Sequence, residues 1–359
     1  MEYTVTVLTP LVITSGKKIY LDIDFVVEKG RVFIFHWNKL INSQNKETFI
    51  SDFSLNKLVK LFEHQRLSWN HLVSYKLESS YKPANILPFV KNPFSKPYLP
   101  GSTLKGKLRT LYLLFQLHNQ DKLKNQLLSN LKKLTSNTQL KILEEEFIKN
   151  LDVSVSDSLP VDINKLLLLP TKVCSIKERG AEFKPFTIYV EAVAAGTTFS
   201  GYFKSRKVSW KALLPKFSFI IKNIIKREID FFTLGNYHKL VQWYEELLKK
   251  VDEQSDFYLQ LGWGEGFAGK TLFSLLPVNT QAKLQKLFRI GKRPLIWHRD
   301  CGKQVIPIKG KNLYNCPFCN RKNIEFTEVQ YSPFPKTRKL LLTPSEEYLP
   351  PGWIKLSLF

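Results

Sequence analysis

Between Ala84 and Pro100 proline recurs so often that no regular element fits, and the interruption ends at Leu99-Pro100-Gly101. Whatever the chain builds has to restart at that turn. Ser102 and Thr103 follow, residue types whose hydroxyls cap a helix by accepting from a free backbone N–H. From Thr103 the helical pattern runs to about Leu117, and its first turns carry Lys105, Lys107 and Arg109. Unpaired amides, a helix dipole and three cations together favour an anion such as phosphate. Gly101 and Gly106 leave room for a nucleic-acid backbone to come close. For any one lysine a solvated helix start is the plainer account; the joint pattern favours an anion site.

The charge balance points the same way. Lysine and arginine number 54 and aspartate and glutamate 31, a surplus of +23. That suggests a polyanionic partner, nucleic acid before membrane. No apolar run approaches membrane-spanning length and the start MEYTVTVLTP reads as a strand, so a cytoplasmic location is expected. Three of the four cysteines cluster, which is no disulfide framework.

A length of 359 residues suggests two domains. Residues 2–9 alternate as a strand, and 23–28 and 31–37 form a hairpin-like pair around Lys29-Gly30. Short helices are expected at 55–64 and 68–78, and a lysine-rich helical stretch at 121–150. Strands are expected at 151–160, at 182–204 as two joined near Ala195-Gly196, at 257–262, and near 352–358; helices at 208–226 and 231–251. Strands and helices mix without strict alternation, which suggests an α+β fold. Lys165–Pro185 reads as the junction between halves.

Gly264–Thr271 (GEGFAGKT) fits the phosphate-loop pattern G-x-x-x-x-G-K-[ST]. Its context does not fit a nucleotide hydrolase. Only 88 residues follow Thr271, and they hold prolines and a cysteine cluster instead of the rest of a parallel sheet. The better reading is a glycine-rich loop lying flat against RNA, with Trp263 or Phe267 stacking and Lys270 on phosphate.

His298, Cys301, Cys316 and Cys319 are spaced H-x2-C-x14-C-x2-C. Two ligand pairs on short turns close a tetrahedron around Zn2+, and four protein ligands leave no open position, so the ion would be structural. Catalytic constellations are thin. No histidine has a nucleophile at a telling distance, and Asp22, Asp24, Asp152 and Asp157 are too few and scattered for a metal-dependent nuclease. Asp22 and Asp24 share one face of a strand start.

The ordered motifs carry a family resemblance. LPGSTLKGKLRT at 99–110 closely resembles the PGSSLKGxLR signature of the RAMP superfamily, the RNA-binding subunits of CRISPR effector complexes. VEAVAAGTTFSGYF at 190–203 and LGWGEGFAGKT at 261–271 are similar to its strand pattern and glycine-rich loop. FPKTRKL at 334–340 and PPGWIKL at 350–356 resemble the tail of one group, the subunit that caps the guide 3′ end in type III-A Csm complexes. The resemblance implies two ferredoxin-like (RRM-like) domains, at 1–170 with a helical insertion and 171–359 with a zinc-binding insertion around 295–325. It implies CRISPR guide RNA and other RAMP subunits of the complex as partners, guide maturation through recruited host nucleases, and no catalytic centre. By position, Gly101, Ser102, Lys105, Gly106 and Arg109 match the first motif, with Lys107 among them; Gly262, Gly264, Gly266 and Lys270 match the loop; Pro335, Lys336, Thr337 and Arg338 match the tail. The 121–150 and 295–325 stretches are extra to a minimal core. The rival expectation within the family is an endoribonuclease. Against a backbone subunit of that type stands the long separation of Gly16 from Gly101; against a guide-processing one, the lack of a well-placed histidine.

Overall fold

The computed structural model describes residues 1–42, 54–64, 68–122, 125, 129, 153–177, 180–206, 208–253, 256–266, 269, 296–298, 300, 303–305, 308, 313–316, 319–325 and 337–359. The expected helices at 121–150 fall largely outside these residues.

Strands are numbered in chain order. The first sheet runs β11 (Phe257–Gln260), β18 (Trp353–Leu358), β1 (Glu2–Val7), β10 (Thr198–Lys204) and β7 (Ser154–Val155), all antiparallel. The second runs β17 (Tyr348–Leu349), β16 (Thr337–Leu342), β8 (Leu166–Lys177), β9 (Gly180–Val193), β6 (Asn85–Leu87) and β2 (Ile19–Tyr20), with β6 parallel to β9. A third, smaller sheet joins β3 (Phe25–Glu28), β4 (Arg31–Phe35) and β5 (Val73–Glu78). Two ribbons, β12 (Ile296–His298) with β13 (Lys303–Val305) and β14 (Leu313–Tyr314) with β15 (Ile324–Glu325), share a small apolar cluster of Val305, Tyr314, Cys316 and Ile324. Among the described residues the α-helices are α1 (Trp37–Asn42), α2 (Leu55–His64), α3 (Gly101–Asn119), α4 (Trp210–Leu213), α5 (Ser218–Leu234) and α6 (His238–Asp252). The fold is α+β.

Period-two patterning builds the first sheet. β1 turns Tyr3, Val5 and Val7 inward, and β10 alternates strictly, burying Phe199 and Phe203 and exposing Tyr202. That inner face meets Leu104, Leu108 and Leu111 of α3 and the apolar sides of α5 and α6 in one core. Trp353 of β18 packs against Tyr244 of α6, centroids 6.0 Å apart and nearly perpendicular, a favoured aromatic arrangement. A satellite core of Val26, Phe35, Leu40, Leu55 and Trp69 lies beside the third sheet.

Three expectations about single elements are corrected. Residues 68–78 are not a helix: one 3-10 turn at Asn70–Leu72 leads into β5, whose β-branched and aromatic residues Val73 and Tyr75 suit a strand. The proline-rich run holds β6, which fits because the strand ends before Pro88. The second pair of helices breaks at Gly235 rather than near 227–230, because Asn236 takes a left-handed φ of 58° there. Both large sheets draw strands from both halves of the sequence, and Lys165–Pro185 lies along the β8–β9 hairpin.

One buried carboxylate ties the sheets together. Glu191 of β9 is fully buried. It accepts from the Tyr75 hydroxyl at 2.6 Å and from the Phe89 amide at 2.8 Å, and it pairs with Lys91. Burial, with the Glu191 charge adding to it, raises the Tyr75 pKa well above the usual tyrosine value. The glutamate of the VEAVAAG motif thus anchors β5 and the segment after β6 to β9.

Candidate nucleic-acid interface

The start of α3 differs from the capping expected of it. Pro100 is the N-cap, and no side chain caps the helix in the usual way. Ser102 and Thr103 lie inside the helix. The Gly101 amide donates to Asp157 Oδ1 at 2.8 Å, so a carboxylate from the loop after β7 already sits on the positive end of the dipole. Gly101 is buried because that segment presses on it: a Cβ there would lie 2.2 Å from the Val155 carbonyl oxygen.

Helical phase divides the cations. Ser102, Lys105, Gly106 and Arg109 recur at i, i+3, i+4 and i+7, one outward stripe opposite Leu104, Leu108 and Leu111. Gly106 has open space where a Cβ would project. Lys107 is on the other side and buried. Its Nζ donates to Glu265 Oε2 at 2.7 Å and to the Gly269 carbonyl at 3.0 Å. Both partners belong to the glycine-rich loop, so the two glycine-lysine elements, far apart in sequence, meet through an ion pair whose side chains are 3% and 5% exposed.

The loop follows β11 as a single 3-10 turn, Gly262–Glu265. β11 pairs only with the antiparallel β18 among the described strands, which is not the parallel setting of a phosphate loop. Gly262, at φ +80°, fits where a Cβ would be 2.3 Å from the Val12 carbonyl oxygen, and Gly264 lies against Pro351. Gly266 turns at φ +63° with open space around it. Trp263 does not stand clear for a base: Lys339 Nζ lies 3.6 Å from its ring centroid, and the indole packs into the small core with Leu169 and Leu341. Arg338 is largely buried, paired with Glu228 and stacked 4.1 Å over the Phe231 ring. Phe267, Lys270 and Lys336 lie outside the described residues.

His298, Cys316 and Cys319 come together, with all their ligand atoms within 4.8 Å of one another. His298 Nδ1 is 2.7 Å from the Tyr314 hydroxyl, which leaves Nε2 facing Cys319 Sγ at 3.1 Å. An orienting partner on one ring nitrogen and soft sulfur before the other is the chemistry of a metal-ligating histidine. The Cys316 amide donates to the Arg321 carbonyl at 2.9 Å, closing the turn that presents both thiols. Cys301 lies outside the described residues.

The tempting carboxylates have structural duties. Asp22 accepts from the Asn56 amide at 2.7 Å and from the Ser54 hydroxyl, at the start of α2. Asp24 accepts from the Tyr20 amide and Trp37 Nε1, each at 2.8 Å. Asp152 lies outside the described residues. Sequence reasoning named Asp157 but not its place at the start of α3, and it missed Glu265, the acid that engages Lys107. For Lys107 the signal was available: helical phase alone separates it from Lys105 and Arg109.

Among the described residues no helix is long and apolar enough to cross a membrane. The chain is similar to the CRISPR system Cms protein Csm5 of Methanocaldococcus jannaschii, 26% identical with all of this chain and 89% of that protein covered. It is similar also to Csm5 of Streptococcus thermophilus, 24% identical over 74% of this chain and 78% of that one. In fold it resembles a chain of a cryo-EM Csm–crRNA–target RNA ternary complex of a type III-A CRISPR-Cas system. That likeness has a TM-score of 0.60 at 18% identity and covers 99% of this chain and 100% of the other. The crystal structure of T. onnurineus Csm5 is similar with a TM-score of 0.50 at 18% identity, over 76% and 93% of the two chains. Residues 4–268, well over half of the sequence and including both glycine-lysine elements up to Ala268, match the RAMP superfamily, and the chain belongs to it.

Proposed function

We propose that the chain is a guide-RNA-binding subunit of a type III CRISPR effector complex of the Csm kind, holding the guide at its 3′ end, abutting backbone subunits and lacking a catalytic centre of its own. The observation that carries the reading is the outward stripe of Ser102, Lys105, Gly106 and Arg109 on α3, a helix whose inner side the Lys107–Glu265 tie fixes to the glycine-rich loop. The Csm5 relatives and the Csm–crRNA neighbour support the partners, guide RNA and other Csm subunits. Ser102, Lys105, Gly106 and Arg109 contact phosphate from the stripe; Gly266, Lys270 and Lys336 extend the path. Gly101, Lys107, Gly262, Gly264 and Arg338 shape that surface from beneath. The two large sheets are the layers of two ferredoxin-like units, assigned to 1–170 and 171–359 and exchanging strands. Asp22, Asp24 and Asp157 are engaged in backbone hydrogen bonds, which favours a binding subunit over an endoribonuclease.

Purifying the tagged chain from its native host and sequencing the bound RNA tests this. Guide-length RNA with a uniform 3′ end is expected. Lys105→Ala with Arg109→Ala should leave that end ragged, and no enrichment of guide RNA would overturn the reading.

His298, Cys316 and Cys319, with Cys301 as fourth ligand, hold a structural Zn2+ that fixes the two ribbons. Elemental analysis should find one zinc per chain. Cys316→Ser with Cys319→Ser should lose it and open residues 295–325 to protease, since metal binding and local folding are coupled.

A further inference from the structure

Behind the glycine-rich loop lies a cavity of about 250 Å³, between β16 and α5. Arg227, Glu228, Gln260, Gly266, Thr337 and Arg338 contribute to its wall. Among the described residues its wall carries Arg227, Arg338 and Lys339 against Glu228 and Glu265, and Glu265 is already paired with Lys107. Arg338 holds one oxygen of Glu228 through its Nε. Arg227 Nε is 3.8 Å from the other oxygen, beyond hydrogen-bond reach, and is buried without a partner. Two guanidinium groups therefore share one carboxylate. Burial pulls the Arg227 pKa below the usual arginine value; the Glu228 charge opposes the shift and the nearby Arg338 adds to it. A buried donor left unmade is costly, and so is a surplus cation out of water. Both costs vanish if an anion enters.

The wall also says which anion. Guanidinium forks match the geometry of phosphate and carboxylate oxygens. The volume is smaller than the roughly 300 Å³ at which pockets for drug-sized ligands begin, so a small group enters and not a run of stacked bases. Gly264, Glu265 and Gly266 form part of the same wall, and Glu265 is the residue that ties the loop to α3. Because Glu228 already offsets one of the two guanidinium groups, charge alone does not choose between a phosphodiester and a monoester; size does, since a cavity of about 250 Å³ takes a chain end and not a phosphate with a nucleoside on each side. We infer that this cavity receives the terminal phosphate monoester of an RNA strand, with Arg227 as its principal donor. The inference rests on the RNA-binding reading above and adds the chemistry of the strand end.

The test is binding of the full chain to three RNAs of one sequence: a 3′-hydroxyl strand, a 3′-phosphate strand and a 5′-phosphate strand. One phosphorylated end should bind about tenfold tighter than the hydroxyl strand, and which end it is identifies the source of the phosphate. Arg227→Gln should bring all three strands to one affinity. Thr337→Asp, a charge placed at an exposed position of the wall, should do the same in a chain whose thermal unfolding is unchanged. Equal binding of the three RNAs by the unaltered chain, with the usual steep salt dependence, overturns the cavity assignment and leaves the RNA-binding reading standing. Persistence of the preference in both variants also overturns it. Failure of all three RNAs to bind overturns both.

Discussion

The two glycine-lysine elements use the same residue types in opposite senses. In the first, Gly101 is packed against backbone while Gly106 looks out, and the two flanking cations Lys105 and Arg109 share its outward face. In the second, Gly262 and Gly264 are both pressed against neighbouring segments, and Gly266 alone of these three has open space around it. The lysine between them in space, Lys107, belongs by sequence to the first element and by contact to the second. Whether a glycine or a lysine serves packing or a ligand is decided by the face it occupies, and two similar strings of letters carry different faces.

The largest effect expected concerns the tie itself. Lys107→Ala leaves Glu265 buried and unpaired, which should cost about 3–5 kcal/mol in denaturant unfolding. Replacing both by apolar residues, Lys107→Met with Glu265→Leu, should recover most of that. If the single variant is as stable as the parent, the two elements are not joined by this pair. Next comes the contrast between glycines. Gly101→Ala must displace the Val155 carbonyl and should cost about 2–3 kcal/mol. Gly106→Ala should be neutral or stabilise by up to about 1 kcal/mol, since alanine is the better helix former. Equal behaviour of the two would erase the distinction between packed and open glycine. The smallest effect on stability, within about 0.5 kcal/mol, is expected for Lys105→Ala with Arg109→Ala. Its signature lies elsewhere: the slope of log affinity for single-stranded RNA against log salt should become shallower by about 1.4, at about 0.7 for each phosphate no longer neutralised. An unchanged slope would remove the stripe from the RNA path.

The α+β class, the β3–β4 hairpin around Lys29-Gly30, the break at Ala195-Gly196 and the last strand were legible, because alternation and glycine turns are local signals. Pairing across the chain was not. Nothing local reveals that β8 pairs with β9 on one side and with β16, from far along the chain, on the other. The stripe on α3 was legible from its residue types, but Asp157, which occupies the helix start, comes from more than fifty residues downstream. The partners of acids such as Glu191, Asp157 and Glu265 are set by tertiary contact, and a sequence shows them only as ordinary surface-type residues.

In the first sheet β1 lies between β10 and β18, with Tyr3 beside Gly201 on one side and Leu358 on the other. On a ribosome, the first strand emerges early and can join β10 once residues near 204 are out. Its other edge has no native partner until residues 353–358 are made. For that interval a strand with one open side is exposed to any extended chain nearby, the situation in which edge pairing goes astray. The pairing that closes it spans nearly the whole sequence, and such long-range closure is slow. In this topology the closing of the first sheet waits on the synthesis of its own β18.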